Sequence, residues 1–465
     1  MRNLLRFTAV LAVLFSSIAF ATDELSACLQ HPDSSPKRLN PQLFGVNMLY
    51  FNETDGLRAK PNYQSQLTEM GISVLRFPGG VVADNYHWAN GKSERSNRRP
   101  KGHAGSAKDL SFDEFYVLAQ ALSAEPTLVL NYLSWLEKDQ IEGAYQEASA
   151  WVDYANNKQH PHINYWEFGN EVYEYLPEEH VTAKASLYAT HYLTLKQKLH
   201  AIDKTLKLGA AMPEKLDLTA RGDNAPWWAS FLTTAGSEVD FLALHYYPGL
   251  PVKRFVESGT GIQEWLTKVN DTIKQYANRQ IPLHLTEWNI ALWDKSGKQQ
   301  LLERDSIWQG LFVAEALFDF NAQNVQLATF WPLRTEKGAG LLALKQQQTF
   351  ISGEVFKLLA PLRNSRISND CKQSGLRVLR LATEHGSAIL VINKKPNQTL
   401  SLTQLLGKEG RLVSLTQLTG NEHLSHNYHL SAPITPAMAS LTNYLLTEPG
   451  IYLFKIKDLG VHIGS

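Results

Sequence analysis

The stretch Ile163-Asn164-Tyr165-Trp166-Glu167-Phe168-Gly169-Asn170-Glu171 decides how this chain is read. It is a short strand-like run that breaks at Gly169-Asn170, so Glu171 leaves from the strand's C-terminal end. A second stretch of the same design, Pro282-Leu283-His284-Leu285-Thr286-Glu287-Trp288-Asn289, delivers Glu287 in the same way. Alone, Gly169-Asn170-Glu171 reads as an ordinary capped loop carboxylate. Two carboxylates carried from the ends of different strands into one cleft are what retaining glycoside hydrolysis needs, one to donate and recover a proton and the other to attack the sugar.

Working outward, short apolar runs alternate with longer amphipathic ones from Leu43 to about Leu359. Strands are predicted at Leu43–Met48, Ser73–Phe77, Thr127–Tyr132, Ile163–Phe168, Lys207–Ala211, Phe241–His245, Pro282–Thr286 and Val325–Phe330. Between them the 3.6-residue period predicts helices, most clearly over Phe112–Ala124, Ala144–Asn157, Ala183–Ile202, Gly261–Gln275 and Ser306–Phe320, and Ser111 with Glu114 forms a capping-box pattern. Eight such units imply an α/β fold, a (β/α)8 TIM barrel with functional residues at the strands' C-terminal ends. After Pro361 the texture changes. Leu376–Thr383 and Ser387–Asn393 alternate like paired strands around Glu384-His385-Gly386, and Gln398–Leu402, Arg411–Leu415 and Gly450–Ile456 follow. A small C-terminal β-sandwich is expected there. The expected division is a signal peptide over 1–21, an N-terminal segment over 22–42 that can join the sandwich, the barrel over 43–360 and the β-sandwich over 361–465.

The export signal is read from Arg2 and Arg6, the apolar run Phe7 to Phe20, and the small-x-small site Ala19-Phe20-Ala21. That run is too short for a comfortable membrane span, and no later transmembrane segment is expected. Leu25-Ser26-Ala27-Cys28 has the letters of a lipidation site, but Asp23 and Glu24 separate it from the apolar run. A periplasmic or extracellular destination follows. The two cysteines, Cys28 and Cys371, are then either one disulfide tying the N-terminal segment to the later domain or two free thiols.

Among 465 residues, 44% are hydrophobic and 19% charged, which are globular values. The formal net charge is +0, and losing Arg2 and Arg6 with a leader makes the chain slightly acidic. This argues against nucleic acid as a partner, since phosphate binding relies on a basic surface. Eleven Trp and 18 Tyr suit stacking on sugar rings as well as core packing. No cofactor is expected and no metal: His423, His426 and His429 fall on mixed faces of a strand or loop.

Several residues converge on the same barrel mouth. Arg76, in Leu75-Arg76-Phe77-Pro78-Gly79-Gly80, offers a positive charge to Glu287 or serves as a structural ion-pair partner. Asn170 can bind a hydroxyl beside the reacting carbon. His245 and Tyr247, in Leu244-His245-Tyr246-Tyr247-Pro248, are donors for Glu287, or in the case of His245 a supporting side chain behind it. Trp135, Trp288 and Trp331 are candidates for the sugar platform, each with core packing as its alternative. The set Arg76-Phe77-Pro78-Gly79-Gly80, Trp166-Glu167-Phe168-Gly169-Asn170-Glu171, His245-Tyr246-Tyr247 and Glu287-Trp288-Asn289 resembles clan A glycoside hydrolases. Within that clan it is most similar to the family 51 α-L-arabinofuranosidases. The stretches Tyr86-His87-Trp88-Ala89-Asn90-Gly91, Phe112-Asp113-Glu114-Phe115 and Ala150-Trp151-Val152-Asp153-Tyr154 agree, so the likeness runs from about Phe44 to Phe356. The resemblance implies that Glu171 is the acid/base, Glu287 the nucleophile and Tyr247 a hydrogen-bond partner of the nucleophile, with an oligo- or polysaccharide as substrate. Two positions depart from that family. Gly45-Val46-Asn47-Met48-Leu49-Tyr50 lacks its sugar-contacting glutamate, and Val81 stands where it has an asparagine after the paired glycines.

Related clan members act on β-xylosides, β-glucuronides or longer β-glucans, and those specificities stay open. A metal-dependent barrel hydrolase would need His-x-His at the end of the first strand, and Gly45-Val46-Asn47-Met48 lacks it. A carbohydrate-binding protein on an inactive barrel would be expected to have lost one carboxylate, and both are present.

Overall fold

The protein is seen in a computed structural model. It describes residues 25, 27–94, 106–159, 162–174, 185–219, 225–291, 302, 304–345, 347–373, 375–384, 386–402, 405, 410–420, 427–434 and 443–458. The expected signal peptide, His423 and His426 lie outside these. Eight parallel strands close into a barrel: β1 (Gly45–Asn47), β2 (Val74–Phe77), β3 (Glu125–Leu130), β4 (Tyr165–Phe168), β5 (Lys207–Met212), β6 (Phe241–Tyr246), β7 (Leu283–Trp288) and β8 (Leu327–Phe330). Each neighbours the next in sequence, and β8 pairs with β1 through Gly45↔Thr329 and Val46↔Phe330. The (β/α)8 expectation therefore holds, with strand ends displaced by a few residues.

Two-residue alternation sorts the strands' side chains. On β4, Trp166 and Phe168 point outward, Trp166 against Trp151 of α4 (Ile141–Val152) and Phe168 stacked on Tyr188 of α5 (Ala185–Ile202). Tyr165 and Glu167 point inward, where Tyr165 packs edge-on against His284 of β7. Helices read as expected from their apolar spacing. In α7 (Ile262–Ala277), Ile262, Leu266, Val269 and Ile273 make one buried stripe. At the start of α2 (Phe112–Ala121), Ser111 accepts from the Glu114 amide and Glu114 accepts from the Ser111 amide, the capping box anticipated from sequence.

The C-terminal domain has a six-stranded antiparallel sheet in the order β9-β10-β11-β16-β13-β14. These are Arg366–Gln373, Leu376–Thr383, Gly386–Asn393, Gly450–Asp458, Gly410–Thr419 and His429–Leu430. A two-stranded sheet, β12 (Gln398–Ser401) with β15 (Asn443–Leu446), covers one face. On β11, Ile389 and Val391 face that cover with Leu400 and Leu446, while Leu390 and Ile392 belong to the core shared with the barrel. Both faces of β11 are buried, which is why Gly386–Asn393 is nearly all apolar. The N-terminal segment runs along β9: Arg38 bridges Arg366, Asn369 donates to the Cys28 carbonyl, and Cys28 is disulfide-bonded to Cys371.

Domain contact is ionic as well as apolar. Asp319 of α8 (Ile307–Ala322) lies 2.9 Å from Arg377 of β10 and 2.9 Å from Lys372 of β9, while Lys394 reaches Glu315 at 3.2 Å. Arg377, 1% exposed, also forks onto Asp370 at 2.7 and 2.8 Å. Removing one member of a buried pair leaves an uncompensated charge. Arg377→Ala should therefore cost about 3–5 kcal/mol, read as a lower urea midpoint. An unchanged midpoint would show that the network carries no net stabilisation.

Candidate active site

The site sits where β1, β2, β4, β6 and β7 end. Arg76 points inward from β2 and is fully buried. All five of its N–H groups are spent. Nε lies 3.0 and 3.1 Å from the two oxygens of Glu167, and Nη2 lies 2.9 Å from Glu167 Oε2 and 2.9 Å from Asn170 Oδ1. Nη1 reaches Asn47 Oδ1 at 2.9 Å and Glu287 Oε1 at 3.0 Å.

Glu171 is delivered by a strained turn. Gly169 has φ 73°, and a Cβ there would come 2.5 Å from Val172 Cγ1. Glu171 itself has φ 47°, a left-handed conformation that a non-glycine residue keeps only when its surroundings enforce it. The Asn170 amide donates to Asp84 Oδ1 at 2.9 Å, which anchors this turn to the loop after β2.

Glu287 is delivered by a bulge. Leu285 pairs with Leu244, but the next pair is Glu287 with His245, so β7 carries an extra residue at Thr286. The pairing with β8 slips at the same place. Without that residue, alternation from the inward His284 would send Glu287 outward and Trp288 inward. With it, Glu287 faces Arg76, and Trp288 packs outside the barrel against Phe320 of α8 and Phe356 of α9 (Ile351–Leu359).

The two carboxylates meet over His245. Its Nδ1 lies 2.8 Å from Glu171 Oε1 and 3.6 Å from Glu287 Oε2, and Tyr247 donates to Glu287 Oε2 at 2.8 Å. One atom from each of Glu171, His245 and Glu287 lies within 4.8 Å of the others. Among the described residues this is the one His/Cys/Asp/Glu trio compact enough to hold an ion. His245 already uses Nδ1 in its contact with Glu171. Burial raises the Glu287 pKa above the usual carboxylate value; His245, Arg76 and the Tyr247 hydroxyl oppose that rise, and Glu171 adds to it. Burial disfavours the His245 imidazolium, yet the Glu287 charge and the Glu171 hydrogen bond outweigh it and hold its pKa above the ordinary value. The Glu171 side chain is the more open of the pair, 21% exposed against 6% for Glu287.

Of the residues singled out from sequence, Glu171, Glu287, Arg76, Asn170, His245 and Tyr247 come together. Trp331 stands beside them, half-buried: its backbone N–H donates to the Trp288 carbonyl, and its ring fills the space a Cβ on Gly80 would need. Trp288 requires correction. It is 0% exposed and offers no face to a sugar, because the bulge turns it into the core. Trp135 is also elsewhere: its indole donates to Glu147 at 2.7 Å, and it lines a separate crevice of about 500 Å³ with Gln140, Gly143 and Glu147. Sequence reasoning missed Glu167 and Asp84 as parts of the site. Glu167 was detectable, since it shares the inward face of β4 with Tyr165 and a buried Arg76 demands an anion. Asp84 lies in an apolar run after the paired glycines and carries no such signal.

No family model matches the chain. An intracellular exo-α-(1→5)-L-arabinofuranosidase of Bifidobacterium longum is 24% identical over 277 residues, covering 52% of this chain and 46% of that protein. The α-L-arabinofuranosidase C of Emericella nidulans is 24% identical over 371 residues, 69% of each chain. The chain thus spans about half the length of the first relative. Among solved structures, the α-L-arabinofuranosidase of Thermotoga maritima superposes with a TM-score of 0.68 over 91% of this chain and 98% of that one, at 18% identity, a likeness of fold. The likeness is to the family 51 α-L-arabinofuranosidases.

The raised pKa of His245 has a sign that can be measured. A group whose native pKa exceeds its unfolded value stabilises fully below the unfolded value, about 6.5 for imidazole, and loses that contribution as pH rises through the native one. The difference in unfolding free energy between wild type and His245→Gln should therefore shrink as pH rises above about 6.5 in urea titrations. Growth of the difference over that window would contradict the arrangement.

Proposed function

We propose that this chain is an exported retaining glycoside hydrolase of the α-L-arabinofuranosidase type, acting at the ends of plant or microbial polysaccharide fragments. The observation that carries the reading is the convergence of Glu171 and Glu287, from two strand ends, within 4.8 Å of each other across His245. Retaining enzymes hold their carboxyl groups about 5–5.5 Å apart, and inverting ones leave room for a water between them. Glu171, the more open carboxyl, protonates the departing oxygen while Glu287 attacks the anomeric carbon, forming a glycosyl-enzyme and releasing the leaving group as an alcohol. Water then enters beside Glu171, gives it a proton and attacks the same carbon, freeing Glu287. Tyr247 and Arg76 hold the Glu287 oxygens throughout. Export is supported by the N-terminal sequence and by the Cys28–Cys371 bond, which suits an oxidising compartment.

A second specificity within the same clan has its own observation. Asn47, at the end of the first strand, is consumed by Arg76 and by the carbonyls of Thr286, Thr329 and Phe330, and Val81 replaces a polar group. A site discriminates strongly through the hydroxyls it pairs, so these changes favour a different sugar, such as a β-xyloside, β-glucuronide or β-glucan. Aryl glycosides of α-L-arabinofuranose, β-D-xylose, β-D-glucuronic acid and β-D-glucose, with the first-formed anomer followed by NMR, separate these readings. Inversion at the anomeric carbon would overturn the mechanism.

Glu287→Ala should lower kcat by about 10⁴-fold or more with the fold intact, and near-wild-type hydrolysis would rule out the assignment. Glu171→Ala should impair substrates with poor leaving groups far more than activated aryl glycosides. Because Glu287 attacks only when ionised and its pKa is raised, the acid limb of kcat/KM should lie above the ordinary glutamate value of about 4.3. A limb below that value would show that burial does not dominate there.

A further inference from the structure

Glu167 is a charged side chain that no ligand can reach. It is 1% exposed and faces the barrel interior, and both oxygens are occupied. Oε1 accepts from Arg76 Nε at 3.0 Å and stands 3.5 Å from Thr127 Oγ1; Oε2 accepts from Arg76 Nε at 3.1 Å and Nη2 at 2.9 Å. Burying a carboxylate is costly, and an apolar side chain would fill a barrel floor as well. The geometry shows what the charge does. Glu167 takes the Nε–Nη2 edge of Arg76, which leaves Nη1 for Glu287 and Asn47 and the remaining Nη2 hydrogen for Asn170.

We propose that Glu167 is a positioning residue: by gripping one edge of Arg76 and taking up part of its charge, it aims the other N–H groups at Glu287 and Asn170 and leaves Glu287 basic enough to attack. The inference rests on the reading of Glu287 as nucleophile. The groups facing Glu287 are Arg76 from β2, Glu171 and Tyr173 from the turn after β4, His245 from β6 and Tyr247 just after it, with Glu214 close to His245 and Tyr247. Arg76 is the one permanent cation in this set, and its charge is shared between Glu167 and Glu287. Were Glu167 neutral, Glu287 would hold that cation alone. A carboxylate so paired is more acidic, and so a better leaving group from the glycosyl-enzyme but a weaker nucleophile in forming it.

The test is the pH dependence of kcat/KM in full-length wild type, Glu167→Gln and Glu167→Asp, with thermal unfolding measured alongside. In Glu167→Gln the acid limb should move down by about one pH unit, and kcat on a substrate with a poor leaving group should fall by about 10-fold or more. Glu167→Asp keeps the charge but withdraws it by one methylene, so both quantities should lie between those of wild type and Glu167→Gln. The Asp variant also serves as the test if the Gln variant does not fold. A limb that stays at the wild-type position, with activity falling only as far as the folded fraction falls, would overturn the proposal and leave Glu167 a structural ion-pair partner. A wild-type chain that cleaves none of the glycosides fails the functional reading itself, a result seen before any variant is compared.

Discussion

A guanidinium sealed inside a barrel must place every N–H on an acceptor, because no water reaches it to make up a shortfall. Arg76 meets that constraint with four partners from three other strand ends: Asn47 on β1, Glu167 and Asn170 along and after β4, and Glu287 on β7. One side chain on β2 thereby sets the relative positions of elements that are hundreds of residues apart in the chain. Glu287 and Asn170, the residue before Glu171, are held by the same planar group. Their separation is thus fixed by covalent geometry rather than by the softer packing of loops.

The bulge in β7 obeys the same accounting. An extra residue removes a carbonyl from the ladder, and that carbonyl must be satisfied where it is buried. The Thr286 oxygen accepts from Asn47 Nδ2 at 2.8 Å and from Thr329 Oγ1 at 2.6 Å. Asn47 therefore supports Glu287 twice, once through the carbonyl preceding it and once through Arg76. The side chain turned out by the bulge, Trp288, is received by Phe320, Phe330 and Phe356, so the inward turn of Glu287 and the packing of two outer helices are one event.

Much of this could be read from the residues because the barrel's grammar is local. Each strand run is short and apolar and ends on a turn, so eight strands emerge from period and punctuation, and the side-chain chemistry at their ends points to six members of the site. The bulge could not be read that way. A run such as Leu283-His284-Leu285-Thr286-Glu287-Trp288 alternates without a break, and only pairing with neighbours on both sides shows that two successive residues, Thr286 and Glu287, share a face. Trp288 was misplaced for that reason. Strand Arg366–Gln373 escaped notice for another: at the sheet's edge it has one well-buried face position in Asn369 and another in Cys371, and its sequence, Arg-Ile-Ser-Asn-Asp-Cys-Lys-Gln, is polar because Lys372 pairs with Asp319 of the barrel and Asp370 with Arg377 of β10. Glu167 is the intermediate case: a buried Arg76 on β2 demands an anion, and Glu167 is the inward carboxylate of β4 that answers it.

The spending of Asn47 also limits what the end of β1 can offer. Its Nδ2 faces three carbonyls and its Oδ1 accepts from Arg76, so it has nothing left to offer a hydroxyl. The ring of Trp331 lies against Gly80. Asn170, Glu171, His245 and Tyr247 stand at or just past the ends of β4 and β6. The side chains that hold Glu287 and those that face Glu171 therefore come from the same few strand ends, and His245 lies against both carboxylates.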